Sequence, residues 1–248
     1  MKVLLLGGTS ESRQLAAAVA GVPGIELITS LAGRVAEPAP VSGHTRIGGF
    51  GGADALAQWI RDNAVDALVD ATHPFAATIT AHADYAARTT GVAYLVLTRP
   101  PWSASTDDQW TTVASLPEAA ASIEPGSRVF LTIGRQGVHH FAGVADAWFL
   151  IRSIDPPTGA VPPRATLELG RGPFDLAHES AMLADNRIDL LVTKNSGGTM
   201  TRAKLDAARS ASIPVLMISR PTVDTSASTV DEVDAAARWL IERLRVTP

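Results

Sequence analysis

Short apolar runs, each closed by glycines or polar turn-formers and followed by Ala-rich sequence, alternate along the front of the chain. Lys2 to Leu6 is one such run, ended by Gly7 and Gly8, and Gln14 to Ala20 behind it has helix-forming composition. Strand, glycine turn and helix are the elements this predicts. The order recurs as IELITS (strand), ADALAQWIRDN (helix), DALVDA (strand), ITAHADYAARTT (helix) and VAYLVLT (strand). Runs that are apolar on both faces indicate a parallel sheet covered by helices, so the expected fold class is α/β. After Arg99 the character changes, because PPWSASTDDQW combines prolines with a cluster of polar turn-formers. A boundary is expected there, with residues 1–101 as one Rossmann-like lobe and 102–248 as a second.

The second half repeats the first. NAVDALVDAT, from Asn63, aligns with NRIDLLVTKN, from Asn186, and the pairs Asn63/Asn186 and Asp66/Asp189 share one offset. AAR at Ala86 to Arg88 matches AAR at Ala207 to Arg209, and VLTRP ending at Pro100 matches MISRP ending at Pro221. VLLLGG and TRIGGFGGAD have looser counterparts in VFLTIG and TLELGRGPFD, in the same order. Collinear matches of this kind indicate internal duplication, hence two similar lobes with a ligand cleft expected between them. Ligands of open α/β sheets bind outside the carboxyl ends of the strands, which makes the strand-end loops the candidate site.

Composition narrows the function classes. At 248 residues, 46% hydrophobic and 19% charged, the chain is globular and long enough for two lobes of about 100 residues. Its net charge of -4 gives no general attraction to phosphate polymers, so neither a nucleic-acid nor an anionic-membrane partner is expected. The absence of cysteine removes disulfides, thiolate metal sites and cysteine nucleophiles, and fits a reducing compartment, with the cytoplasm as the expected location. MKVLLLGGTSES is apolar over too few residues for a secretion signal, and no run approaches the ~20 apolar residues that span a bilayer.

The loops carry the candidate chemistry. GGTSESR sets two glycines and two hydroxyls between strand and helix, where backbone N–H groups and the helix dipole can hold a phosphate, although glycine turns also occur in lobes that bind no nucleotide. The second strand runs into LAGR with no acid; NAD sites usually place one there, for the ribose 2′-hydroxyl. Ser30 and Arg34 suit a 2′-phosphate, and a solvated loop arginine fits the same stretch. IGGFGG is richer in glycine than a plain turn requires, as where backbone must approach a flat ligand closely. DATHPFA places Thr72, His73, Pro74 and Phe75 at a strand end, with His73 open to three roles: proton donor, hydrogen-bonding group or helix cap. In the second lobe KNSGGT is laid out as an anion cradle, with Lys194 as point charge, Gly197 and Gly198 as turn, and Ser196 and Thr199 as caps. Lys204 follows, and with Arg99, Arg135, Arg152 and Arg220 these cations suggest a polycarboxylate ligand, against the alternative of ordinary surface charges.

Other chemistries lack their residues. Adjacent His139 and His140 are expected on different faces of a helix with no accompanying ligand set, so no metal site is expected. There is no G-x-S-x-G elbow, no G-x-x-x-x-G-K-[ST] loop and no Tyr-x-x-x-Lys pair. Trp102 in the inter-lobe loop either flanks a ligand or pins the loop.

Taken together, GGTSESR, GGFGG, DATHPFA, TIGRQ, GPF, TKNSGG and VLMISRP, in this order over nearly the whole chain, resemble the precorrin-6A reductase family. The resemblance implies hydride transfer from NADPH to a C=C bond of precorrin-6A, giving precorrin-6B in cobalamin biosynthesis, on two Rossmann-like lobes. On that reading the cofactor falls to Gly7, Gly8, Thr9, Ser10, Arg13, Ser30, Arg34, Gly49, Phe50, Gly51, Thr72, His73 and Pro74. The carboxylate-rimmed macrocycle falls to Phe75, Arg99, Arg135, Gln136, Lys194, Ser196, Gly197 and Lys204, with His73 and Lys194 as catalytic candidates for the proton. Whether the macrocycle carries cobalt stays open. The rival expectation is a non-catalytic binder of a tetrapyrrole or other polyanion.

Overall fold

A computed structural model describes residues 1–33 and 39–246, the last by its backbone alone. It divides into two units, Met1–Pro100 with Pro221–Pro248, and Pro101–Arg220. The first begins with β1 (Lys2–Leu6), α1 (Ser10–Val19), β2 (Glu26–Leu31), β3 (His44–Ile47), α2 (Ala53–Asp62), β4 (Ala67–Asp70), α3 (Ala77–Thr90) and β5 (Ala93–Leu97). The chain then enters the second unit through β6 (Trp110–Val113), α4 (Leu116–Ala121) and β7 (Arg128–Thr132). It continues through a 3₁₀ segment (Arg135–Phe141), β8 (Trp148–Ser153), β9 (Ala165–Leu169), α5 (Leu176–Asp185), β10 (Leu190–Lys194), α6 (Ala203–Ser210) and β11 (Val215–Ile218). It ends back in the first unit with β12 (Ser228–Val230) and α7 (Val233–Val246).

Each unit holds a six-stranded sheet, in the orders β12-β5-β4-β1-β2-β3 and β6-β11-β10-β7-β8-β9, and every pairing is parallel. The first is the doubly wound order of a dinucleotide-binding domain. Both faces of β1 are covered, which is why its sequence is a continuous apolar run: Val3 and Leu5 pack with Leu15, Ala236 and Leu240 from α1 and α7, whereas Leu4 and Leu6 pack with Leu56, Ile60 and Ala83 from α2 and α3. Burying each such leucine contributes roughly 1.5–3 kcal/mol.

The duplication is visible in the caps. Asn63 and Asn186 end α2 and α5, and the Nδ2 of each donates to the carbonyl four residues back at 2.9 Å. The residues that follow, Ala64 and Arg187, both take φ 50°. Asp66 and Asp189 then accept from the backbone N–H groups of Lys2 and Arg128, locking β4 onto β1 and β10 onto β7. Gly91 and Ser212 turn the chain at the ends of α3 and α6 with φ 74° and 54°. β6–α4 and β12–α7 are counterparts too, with Ala119 and Ala236 fully buried in matching positions.

The first unit ends its front part at Pro100, and Pro221–Pro248, expected with the second lobe, groups with the first unit instead. β12 pairs with β5, and α7 buries Ala236 and Leu240 against α1. Asp84 of α3 fixes the returning segment by accepting from Thr225 Oγ1 at 3.0 Å, Ser226 N at 2.8 Å and Ser226 Oγ at 2.9 Å. Helix α1 starts at Ser10, earlier than composition suggested, because Thr9 and Ser12 form a reciprocal capping box.

Candidate functional site

At the carboxyl end of the first sheet, β4, β1 and β2 lie side by side and bring three predicted segments together. The turn after β1 is tied on both sides, Gly7 N to Ser30 O at 2.9 Å and Thr9 Oγ1 to Ala71 O at 2.7 Å. Ser12 Oγ accepts from the N–H groups of both Gly8 and Thr9 at 3.1 Å, so the turn is rigid, while Gly8 stays exposed. Arg13 is half-buried on the first turn of α1. Ser10 Oγ donates to Glu11 Oε2 at 3.0 Å, and Arg99 Nη1, from the end of β5, meets the same oxygen at 2.7 Å. Burial pushes the Glu11 carboxyl up, but its own backbone N–H, Arg99 and Ser10 outweigh that and hold it below its usual value. Arg99, expected at the macrocycle, thus braces the first loop.

After β4, Asp70 Oδ1 accepts from Thr72 N at 2.9 Å and Thr72 Oγ1 at 2.7 Å, which orients Thr72. His73 Nδ1 accepts from Phe75 N at 3.2 Å, leaving Nε2 to carry the ring proton. His73 and Phe75 rings lie 5.8 Å apart. Pro74 is half-buried between them in the chain.

Sequence reasoning missed Arg46. From the edge strand β3 its Nη1 donates to Ser30 Oγ at 2.8 Å and to Gly48 O at 2.9 Å, and its Nη2 to Gly49 O at 3.2 Å. The guanidinium lies 3.9 Å over the Phe50 ring, which packs edge-on against Trp59 at 5.6 Å. Gly48, Gly49 and Phe50 are therefore joined to Ser30 through Arg46, and Gly51 follows them in the chain. Arg34 lies outside the described residues.

In the second unit, β7 and β10 are neighbours and bring Arg135 and Gln136 to the same edge as Lys194. Arg135 stands 4.0 Å from Asp155, and Gln136 is exposed. Desolvation lowers the pKa of the half-buried Lys194 ammonium. The adjacent histidines do not diverge, as helical spacing had suggested: the tight 3₁₀ turn sets their rings 4.0 Å apart. His140 is held below its usual pKa by desolvation first and then by His139 and Lys194, so the histidines and the lysine share one electrostatic neighbourhood.

The loop after β10 is built around Trp102, which pins it. Asn195 accepts from Trp102 N at 2.7 Å and donates to Trp102 O at 3.0 Å, while Trp102 Nε1 donates to Gly198 O at 2.8 Å. Arg220 donates to the carbonyls of Asn195 and Ser196. Gly197 is buried, and Lys204, 4% exposed, lies with its Nζ 5.2 Å over the Trp102 ring, inside the unit rather than at its mouth. Arg152 is also no surface cation: it is buried, 2.7 Å from the fully buried Glu179 and 3.8 Å over Phe174. Among the described residues no group of three or more His, Asp or Glu is placed to hold a metal, and no helix is long and apolar enough to cross a membrane.

The chain is similar to proteins of known activity over nearly its full length. It is 55% identical over 240 residues to the precorrin-6A reductase of Rhodococcus erythropolis, covering 96% of this chain and 97% of that one. It is 52% identical over 241 residues to the precorrin-6A reductase of Mycobacterium tuberculosis, with 96% and 97% covered. A solved structure described as CobK precorrin-6A reductase superposes with a TM-score of 0.91 at 39% identity, covering 98% of this chain and 96% of that one. The family model described as precorrin-6x reductase CbiJ/CobK matches residues 2–241, and the chain belongs to that oxidoreductase family.

Proposed function

We propose that the chain reduces precorrin-6A to precorrin-6B with a hydride from NADPH, the first unit holding the dinucleotide and the second meeting the carboxylates of the macrocycle. Family membership supports the reaction. The three relatives at 52–55% identity all bear the cobalt-free name, which favours the cobalt-free macrocycle. One observation carries the cofactor: the described end of β2, Ser30 to Gly33, has no acid, and a guanidinium stands 2.8 Å from Ser30 Oγ.

The first unit fits such a group. A Cβ added at Gly8 or Gly49 would meet nothing within 4 Å, so the backbone there is open to close approach. Gly7 to Ser10 would take the pyrophosphate at the start of α1, with Thr9 and Ser12 fixing the turn. Arg99 offsets the Glu11 charge, which would otherwise oppose a phosphate at that helix end. Thr72, His73 and Pro74 border the same loop through Thr9 and Ala71. Bound there, the dinucleotide supplies the hydride, and the protein supplies position. The reduction also takes up a proton, for which the chain offers His73 Nε2–H and the Lys194 ammonium.

Anaerobic incubation with NADPH and precorrin-6A tests the reading: loss of the nicotinamide absorbance together with a chromophore shift is expected. Binding of precorrin-6A without NADPH oxidation would instead support a non-catalytic binder. Lys194→Met is expected to weaken precorrin-6A binding about tenfold to a hundredfold, the contribution of one charge-assisted contact. A lysine binds carboxylates only while protonated, and desolvation has lowered the Lys194 pKa below the ordinary value of a lysine. Wild-type affinity should therefore fall as pH rises through that lowered value, and Lys194→Met should lose this alkaline limb. Titration of the variant at wild-type affinity would discard the anion-cradle role.

A further inference from the structure

We propose that Arg46 reads the 2′-phosphate of the dinucleotide and sets its preference over the unphosphorylated form; this rests on the NADPH reading above. The end of the second strand is where such folds contact the adenosine ribose. β2 and β3 pair with Ser30 directly opposite Arg46, so the edge strand delivers the guanidinium to that position. Three of its five N–H donors are engaged, by Ser30 Oγ and the carbonyls of Gly48 and Gly49, and Phe50 covers one face at 3.9 Å. The donors left among the described residues are on Nε and Nη2, neighbouring nitrogens suited to a phosphate fork. The head group is thus held in place before a ligand arrives, which lowers the ordering cost of binding.

The second unit gives an internal comparison. There Arg152 stands on β8 in the place that Ser30 has on β2, stacked 3.8 Å over Phe174, and the edge-strand residue opposite it, in the place of Arg46, is Glu168. Arg152 is 6% exposed and neutralised by the buried Glu179 at 2.7 Å. No described carboxylate lies within ion-pair distance of half-buried Arg46. The second unit thus carries its guanidinium one strand further in and neutralises it internally, so an edge-strand guanidinium without a described carboxylate partner is a feature of the first unit.

The test uses the full-length protein with two probes, adenosine 2′,5′-bisphosphate and AMP, titrated calorimetrically, beside steady-state KM values for NADPH and NADH. Wild type is expected to prefer the bisphosphate and NADPH. Arg46→Gln should shrink that preference about thirtyfold while leaving AMP and NADH within about twofold, and Arg46→Lys should restore part of it through charge without the fork. A wild type that prefers NADPH and an Arg46→Gln variant that keeps the full preference would overturn the assignment to Arg46 and leave the NADPH reading standing. Equal loss of both probes would overturn it too, making Arg46 a loop brace. A wild type indifferent to the 2′-phosphate would remove the NADPH reading itself and this inference with it.

Discussion

Glu179→Leu is expected to lower the unfolding free energy by about 3–5 kcal/mol, because it leaves the Arg152 charge buried without a partner. Arg152 is 6% exposed and Glu179 fully buried. Their 2.7 Å contact is charge against charge without the alignment of a hydrogen bond, and neither carboxylate oxygen of Glu179 has a hydrogen-bond partner among the described residues. The guanidinium is otherwise enclosed by rings, 4.7 Å from Phe130 and 3.8 Å from Phe174. The ring faces attract the cation by about 2 kcal/mol, less than the loss of its one counter-charge, so the penalty should still be large for a single substitution. It also predicts that Arg152→Met combined with Glu179→Leu recovers most of the loss, since the desolvation of both charges disappears together. Urea denaturation of the two single variants and the double variant checks this. Additive losses in the double variant would mean that the pair is not electrostatically coupled.

Legibility followed burial. β1, β4 and β5 could be read from sequence because helices cover both faces of their sheet, which writes an uninterrupted apolar run between turns. β3 and β9 could not, since they are edge strands whose residues are mostly exposed and carry no periodic signal. The fate of the last segment was equally hidden. Three polar-leaning residues, Ser228 to Val230, form β12, and nothing local says that they pair with β5 rather than remain beside β11. Their resemblance to β6, in the Thr-Val that each shares before an Ala-rich helix, was the available signal.

The site divides the same way. Gly7 to Ser10 and Thr72 to Phe75 are continuous loops at strand ends, where residue type and position coincide in the sequence. Arg46 acts across the sheet on Ser30, and Arg99 pairs with Glu11, a separation of 88 residues, so these partnerships depend on register and strand order. Lys204 and Arg152 are expected from sequence among cations that meet a polycarboxylate ligand, because burial of a long charged side chain depends on its partner, Trp102 or Glu179, which is distant in sequence.

Gly8→Val separates the turn's role in folding from its role in binding. Gly8 has φ 120°, a conformation that costs a residue with a Cβ about 1–3 kcal/mol. No protein atom lies within 4 Å of an added Cβ, so backbone strain is the main structural cost, and the Thr9–Ser12 capping box still starts α1. The fold should survive with a modest drop in Tm. Gly7 differs: a Cβ there would meet Thr29 Cγ2 at 3.0 Å and Ser12 Oγ at 3.3 Å, a packing conflict inside the unit. At Gly8 the isopropyl group instead occupies the space through which a pyrophosphate would approach the start of the helix. Losing two charge-assisted hydrogen bonds of about 1.5 kcal/mol each would weaken NADPH binding on the order of a hundredfold. Affinity for precorrin-6A alone should change little, because its carboxylates are assigned to the second unit. Calorimetric titration of the folded variant with each ligand decides the matter. NADPH affinity within about threefold of wild type would mean that the dinucleotide does not approach this turn.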